Sequence, residues 1–202
     1  MTKIKLCGLS RSCDIEAANE LKPEYIGIVF APKSKRYVTP EKAKELKQLL
    51  DPEIKAVGVF VNEKPERVAC LLKNGVIDIA QLHGSENEDY ISRVRSLTDK
   101  PIIKAFRIET AKDIADIERC SADYVLLDSG AGTGIKFDWN LIQNIKRPYF
   151  LAGGLSPDNA GDAVTMLHPF AVDVSSGIET DGVKDKIKMA AFVAAVRKEE
   201  EL

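Results

Sequence analysis

Eight short apolar, β-branched runs punctuate the chain, at 4–7, 25–30, 55–61, 77–82, 102–106, 124–127, 149–152 and 170–174. None alternates strictly between apolar and polar positions, which is the habit of strands buried on both faces. Successive runs begin roughly 20 to 30 residues apart, enough for a strand, a brief loop and a crossover helix in each unit. The segments between them carry helix punctuation. Thr39-Pro40-Glu41 offers an N-cap followed by proline at the first helical position, Ser156-Pro157-Asp158 repeats that chemistry, and Asp138 can cap the segment holding Trp139. After Ser12, apolar residues at 15, 18 and 21 form one stripe, with acids in the first turn suited to the helix dipole.

Eight consecutive strand and helix units predict an α/β fold, the (β/α)₈ barrel, as a single domain over 1–202 with brief loops. A doubly wound open sheet is the structural alternative. A closed barrel puts the carboxyl ends of all its strands on one rim, so residues far apart in sequence converge there. That geometry directs attention to what ends each run.

Composition narrows the partners. Lys plus Arg number 29 against 31 for Asp plus Glu, a net charge of −2, which gives no global field for nucleic acid, so an anion must be held locally. The N-terminal apolar run is broken by Lys5 and does not resemble a secretory segment, and no stretch approaches a membrane span. Cysteines at 7, 13, 70 and 120 have neither metal-ligand spacing nor disulfide density. Reduced thiols and a cytoplasmic location are expected, with no membrane partner.

Candidate chemistry sits at the run ends. Gly153-Gly154 follows the seventh run and Ser175-Ser176-Gly177 the eighth. Glycines admit backbone N–H groups close to an anion, serines add donors, and a short helix N-terminus there would add its dipole. Each motif alone also reads as a turn or a cap. Paired at these strands they form a phosphate cradle, and the lack of G-x-G-x-x-G or a P-loop favours a small phosphorylated metabolite over a nucleotide.

Cys7 ends the first run and Asp128 follows the sixth. A thiol acts as base or nucleophile as thiolate, and a rim position near donors or a cation would lower its titration. Partial burial or a nearby negative charge would raise Asp128 and let it deliver a proton. Each also has a plain structural reading, as a small buried hydrophobe and as a helix cap. Cys13, Cys70 and Cys120 fall in helical segments, where packing explains them. Arg36, in the cationic loop 32–37, reads equally as a carboxylate anchor or as part of a solvated turn. His83 ends the fourth run and either lines the pocket or makes structural hydrogen bonds; His168 precedes the eighth run and belongs on the opposite rim. A histidine-rich metal centre is not expected. The glycine-rich segment 129–134 reads as a closing loop or a simple connection, and Trp139 as packing.

In its Cys7-Gly8, Lys35-Arg36-Tyr37, Gln81-Leu82-His83-Gly84, Leu127-Asp128, Gly132-Thr133-Gly134, Gly153-Gly154-Leu155 and Asp173-Val174-Ser175-Ser176-Gly177 motifs, the chain resembles the phosphoribosylanthranilate isomerase family from end to end. The resemblance implies a barrel without a cofactor, catalysing an Amadori rearrangement in tryptophan biosynthesis. It implies Asp128 as general acid and Cys7 as general base. Arg36 would engage the anthranilate carboxylate, His83 would lie near the ligand, and Gly154, Ser175 and Ser176 would bind phosphate. A monomer and a homodimer are both compatible with it. Ala131 and Ile135 depart from residues common in relatives, a glycine and a lysine, which bears on the closed form of the loop after Asp128. The histidine-pathway aminoaldose isomerase is the nearest enzymatic rival, but it uses an aspartate at the first strand and a twice-phosphorylated substrate. A ribulose-phosphate epimerase would need a metal-binding set the sequence lacks. A non-catalytic phosphate-binding barrel is the rival from another class.

Overall fold

The computed structural model describes residues 1–108, 111–128, 142 and 145–198. The expected cap at Asp138, the glycine-rich loop, the Ala131 and Ile135 departures, Trp139 and the acidic tail at 199–201 lie outside the described residues. Eight parallel strands close into a barrel in chain order: β1 Lys3–Cys7, β2 Tyr25–Val29, β3 Lys55–Phe60, β4 Ile79–Leu82, β5 Ile102–Arg107, β6 Tyr124–Asp128, β7 Tyr149–Ala152 and β8 Ala171–Val174. Closure is made by β1 pairing with β8, Lys5 opposite Asp173. The open-sheet alternative is thereby excluded.

Each strand shows one set of alternate residues to the helices and the other to the barrel interior. Ile4, Leu6, Ile26 and Ile28 belong to the outer core under the helices. Inside, Tyr25, Val57, Ile79, Ile103, Leu126 and Phe150 fill the lower barrel. Phe150 packs edge-on against Tyr25 and Phe170, with ring centroids 5.3 and 5.6 Å away, so the floor is solid. Above it, Cys7, Val29 and Val59 form a small apolar group, and polar side chains share the rim with Ala31, Val61 and Leu155. Burial of each large aliphatic side chain contributes about 1.5–3 kcal/mol, which is why residues flanking the site can be polar without loss of the fold.

The helices α1 Ser12–Leu21, α2 Pro40–Leu49, α3 Pro65–Lys73, α4 Glu88–Leu97 and α5 Ala111–Arg119 follow the first five strands. Thr39 caps α2 as expected, its hydroxyl accepting from Lys42 N at 3.2 Å with Pro40 next. In α1 the first-turn acid Asp14 is buried and accepts from Ser10 N and Arg11 N at 3.0 and 2.9 Å. Ser156, however, caps nothing. Asn159 Oδ1 accepts from Ser156 N at 2.8 Å and closes a turn, so α6 Ala160–Leu167 begins later than the Ser-Pro signal predicts. Packing also fails to explain Cys13 and Cys70, which are exposed; Cys120 is buried, just beyond α5. After β8 comes a single turn, Ser176–Ile178, then a hairpin of β9 Glu179–Thr180 and β10 Val183–Lys184 that the hydrophobic pattern did not reveal, then α7 Lys186–Lys198. Among the described residues no helix is long and apolar enough to cross a membrane.

Candidate active site

A cavity of about 360 Å³ opens at the carboxyl end of the strands, and Cys7, Arg36, His83, Asp128, Gly154, Ser175 and Ser176 all line it. The barrel thus brings together every site residue expected from the sequence. His168 is absent from this rim, as expected. It ends α6 in a left-handed conformation beside a separate cavity of about 470 Å³ at the opposite end, where Arg147 is spent on the carbonyls of Ile117, Cys120 and Ala122.

Cys7 is held by its neighbours' lack of bulk. Opposite it on β2 lies Gly27, where an added Cβ would fall 2.5 Å from Cys7 Sγ and 3.0 Å from its Cα. The thiol is only 7% exposed. Burial pushes it above its ordinary value, against the pull of the Lys5 ammonium, and the Asp173 carboxylate adds to the rise. This corrects the expectation of a lowered thiol: at this depth desolvation of the thiolate outweighs one nearby cation that is itself neutralised. Lys5 is fully buried, and its Nζ donates to Asp173 Oδ1 at 2.8 Å.

Across the cavity, His83 Nε2 lies 3.2 Å from Asp128 Oδ2, and His83 Nδ1 lies 2.9 Å from Gln81 Nε2. A neutral imidazole with its proton on Nε2 satisfies both contacts, accepting from the Gln81 amide and donating to the carboxylate. The Asp128 side chain is 29% exposed and that of His83 34%, so both are half-buried at the rim. The loop bearing His83 is anchored from below. Lys104 Nζ donates to Gly84 O at 2.7 Å and to Glu86 at 3.1 Å, while Glu86 accepts from Asn62 N and Gly84 N.

Arg36 is not a solvated turn residue. Its Nε and Nη2 donate to the two oxygens of Glu179 at 2.6 and 2.7 Å, a bidentate pair. Lys184 Nζ reaches the same carboxylate at 2.6 Å and also donates to Ser175 O and Oγ at 2.8 and 3.3 Å. Burial works to raise the Glu179 carboxyl, but the hydrogen bonds from Arg36 and Lys184 overcome it and leave it below its ordinary value. Burial lowers Lys184.

The anion end is built from two abutting loops. Gly153 and Gly154 adopt φ of 90° and 66°, in the left-handed region that favours glycine. A side chain at Gly177 would run into the Leu155 carbonyl oxygen. The expected helix dipole is not supplied as such, because the three-residue turn Ser176–Ile178 is too short to build one. Serine donors, backbone N–H groups and the Lys184 charge remain.

Lys5, Gln81, Asp173, Glu179 and Lys184 were not singled out from the sequence. Lys5 and Asp173 carried a usable signal, since each lies two places before a nominated residue, Cys7 or Ser175, and two places is the strand repeat. Glu179 and Lys184 reach the site from the hairpin, for which no motif spoke. Among the described residues no group of three or more His, Cys, Asp or Glu could hold a metal ion.

A profile of the family described as N-(5'-phosphoribosyl)anthranilate (PRA) isomerase matches residues 4–195. The chain belongs to the N-(5'-phosphoribosyl)anthranilate isomerase family. Among relatives of that name, one from Clostridium acetobutylicum is 45% identical over 207 residues, covering 98% of this chain and 99% of its own length. Another, from Endomicrobium trichonymphae, is 43% identical with the same coverage. Of solved isomerases of the family, that from Thermotoga maritima superposes with a TM-score of 0.90 at 34% identity, over 98% of this chain and all of its own. A further phosphoribosyl anthranilate isomerase, TM-score 0.88 and 34% identical over 98% of this chain and 100% of its own, was solved in complex with reduced 1-(o-carboxyphenylamino)-1-deoxyribulose 5-phosphate.

Proposed function

We propose that the chain catalyses the Amadori rearrangement of N-(5-phosphoribosyl)anthranilate to 1-(2-carboxyphenylamino)-1-deoxyribulose 5-phosphate, an aldose–ketose isomerisation in tryptophan biosynthesis. The observation that carries this reading is that Cys7 and Asp128, from the first and sixth strands, line one cavity closed at one end by the loops after β7 and β8. An acid and a base facing a sugar-sized space would serve no purpose in a barrel that only binds phosphate.

In this reading Asp128 enters as the carboxylic acid. It gives its proton to the ribose ring oxygen as the bond from that oxygen to C1′ breaks, and the anthranilate nitrogen lone pair forms the iminium. The iminium acidifies the C2′ proton, which the Cys7 sulfur takes as thiolate. The electron pair of the C–H bond becomes the C1′–C2′ double bond of the enolamine as the C=N pair returns to nitrogen. The enolamine then loses its C2′ hydroxyl proton and gains one at C1′ to give the ketone, and Cys7 gives up a proton as Asp128 regains one through solvent. No atom is gained or lost. His83, donating to Asp128, stabilises the carboxylate left after the first transfer and holds it in place.

Gly154, Ser175 and Ser176 take the phosphate, with Lys184 supplying charge behind Ser175. Arg36 takes the anthranilate carboxylate with donors that Glu179 does not occupy. Anchoring the substrate at both ends turns binding energy into orientation of C1′ and C2′. The protein works in the cytoplasm, as a monomer or homodimer without cofactor; among the similar structures is one of monomers generated from the dimeric isomerase of Thermotoga maritima.

The test is turnover of freshly generated phosphoribosylanthranilate by the native protein, Cys7→Ser and Asp128→Asn. Each substitution is expected to lower kcat by at least about 10²-fold, as loss of a positioned acid or base does. Unchanged rates in both would reject the mechanism. Comparable turnover of the histidine-pathway substrate would reject exclusive specificity.

A further inference from the structure

Residues 5 and 7 of β1 point to the same side of the strand, into the barrel, one layer apart. Cys7 lines the cavity; Lys5 lies one strand repeat below it, fully buried, and its ammonium acts on the thiol. A lysine at 0% exposure is costly unless paired, and its pairing is with Asp173, across the seam where the barrel closes. Asp173 also lines the cavity. A lysine that served only to fill the barrel could be replaced by methionine with no charge to satisfy, so the placement of a cation here calls for a use. No role assigned so far employs it.

We propose that Lys5 is a positioning residue whose ammonium, pinned by Asp173, is the counter-charge that lets the buried Cys7 sulfur exist as thiolate. The inference rests on the reading of Cys7 as base and adds what that reading lacks, a reason why so deeply buried a thiol can ionise. Asp173 has two opposed effects. It holds the ammonium in place, and it offsets that charge, adding to the rise of the Cys7 thiol that burial begins.

Among the described residues the other charges facing Cys7 are few. Lys184, from the hairpin, acts weakly in the same sense as Lys5, and Arg36, from the loop after β2, senses the sulfur. Both are tied to Glu179. His83 and Asp128 stand across the cavity, and β2 and β3 contribute only Gly27, Val29 and Val59. Among the described residues Lys5 is therefore the principal cation and Asp173 the principal anion at the sulfur.

The two predict shifts of opposite sign, which a merely structural role would not produce. The rate of alkylation by iodoacetamide is followed against pH and resolved at the Cys7 peptide by mass spectrometry, with the exposed Cys13 and Cys70 as internal references. Asp173→Asn should move the Cys7 titration down and Lys5→Met should move it up, each by about one to three pH units. The acidic limb of the kcat/KM profile should follow in the same directions. Because Lys5→Met leaves a buried carboxylate unpaired, the double variant Lys5→Met/Asp173→Asn, which has no unpaired charge, provides a second test and should also titrate above the native protein. Shifts of the same sign in Asp173→Asn and in the Lys5 variants, or none, would overturn the proposal. The alkylation readout does not depend on turnover. If the titration shifts as stated while Cys7→Ser retains full activity, the base assignment fails and the counter-charge stands; the reverse pattern rejects the counter-charge alone.

Discussion

Gly27→Ala tests how tightly the fold holds the sulfur. The new Cβ would lie 2.5 Å from Cys7 Sγ, 3.0 Å from Cys7 Cα and 3.1 Å from its Cβ, whereas such atoms pack at about 3.5–4.0 Å. Rotating the thiol alone does not relieve the contact with the Cα, so β1 and β2 must part, carrying the sulfur about 1 Å with them. Overpacking of this kind costs roughly 1–3 kcal/mol. A misplacement of about 1 Å at the reacting group costs on the order of 10²-fold in rate. Urea denaturation and steady-state turnover therefore should both change, kcat falling about 10²-fold and KM little, since the anchors at Arg36 and Ser175 are untouched. Gly75→Ala is the control. Its φ is +67° but an added Cβ meets nothing within 4 Å, so it should cost roughly 1–2 kcal/mol of stability and leave kcat alone. If Gly27→Ala were destabilised yet as active as Gly75→Ala, the claim that Gly27 sets the position of the base would be refuted.

Arg36→Met should weaken binding of the reduced product analogue, measured by calorimetry, by more than it destabilises the fold, since Lys184 still pairs with Glu179; equal affinity would reject the carboxylate role. Glu179 titrates below its ordinary value in the folded protein, so the unfolded chain binds more protons and stability rises with pH through that window. Its contribution is complete above about pH 5, beyond the unfolded value near 4.3, and is lost as pH falls through the lower folded value. The stability difference between native protein and Glu179→Gln should shrink correspondingly in acid, and a difference that persists unchanged to about pH 3 would contradict the pairing. Lys104→Met strands the buried Glu86 carboxylate under the His83 loop and should cost about 3–5 kcal/mol in denaturant unfolding; a loss below about 1 kcal/mol would show that the loop does not depend on it.

The barrel and the main site were legible because their signals are local. Strand runs bounded by Gly, Ser, Asp or Cys are readable one at a time, and closure then forces Cys7, Asp128, Gly154 and Ser175 together. What escaped was relational. Whether Cys7 is raised or lowered depends on its depth and on how far Asp173 offsets Lys5, neither of which a run of residues displays. Arg36 looked equally like a surface turn because its partner, Glu179, lies 143 positions away. Ser156-Pro157 read as a helix start, but Asn159 supplies a competing side-chain bond that delays the helix. Gly27 carried no motif at all; its significance is the space it leaves for an atom on another strand.

The account turns on one sugar lying between a sulfur and a carboxyl group. A crystal structure of the protein with reduced 1-(o-carboxyphenylamino)-1-deoxyribulose 5-phosphate measures that directly. We expect Cys7 Sγ within about 3–3.5 Å of C2′ and an Asp128 oxygen within hydrogen-bond reach, about 2.6–3.2 Å, of the oxygen that closed the ring, with the phosphate at Gly154, Ser175 and Ser176. A ligand bound with its C2′ turned away from the sulfur, or with its phosphate at Arg36, would contradict the account.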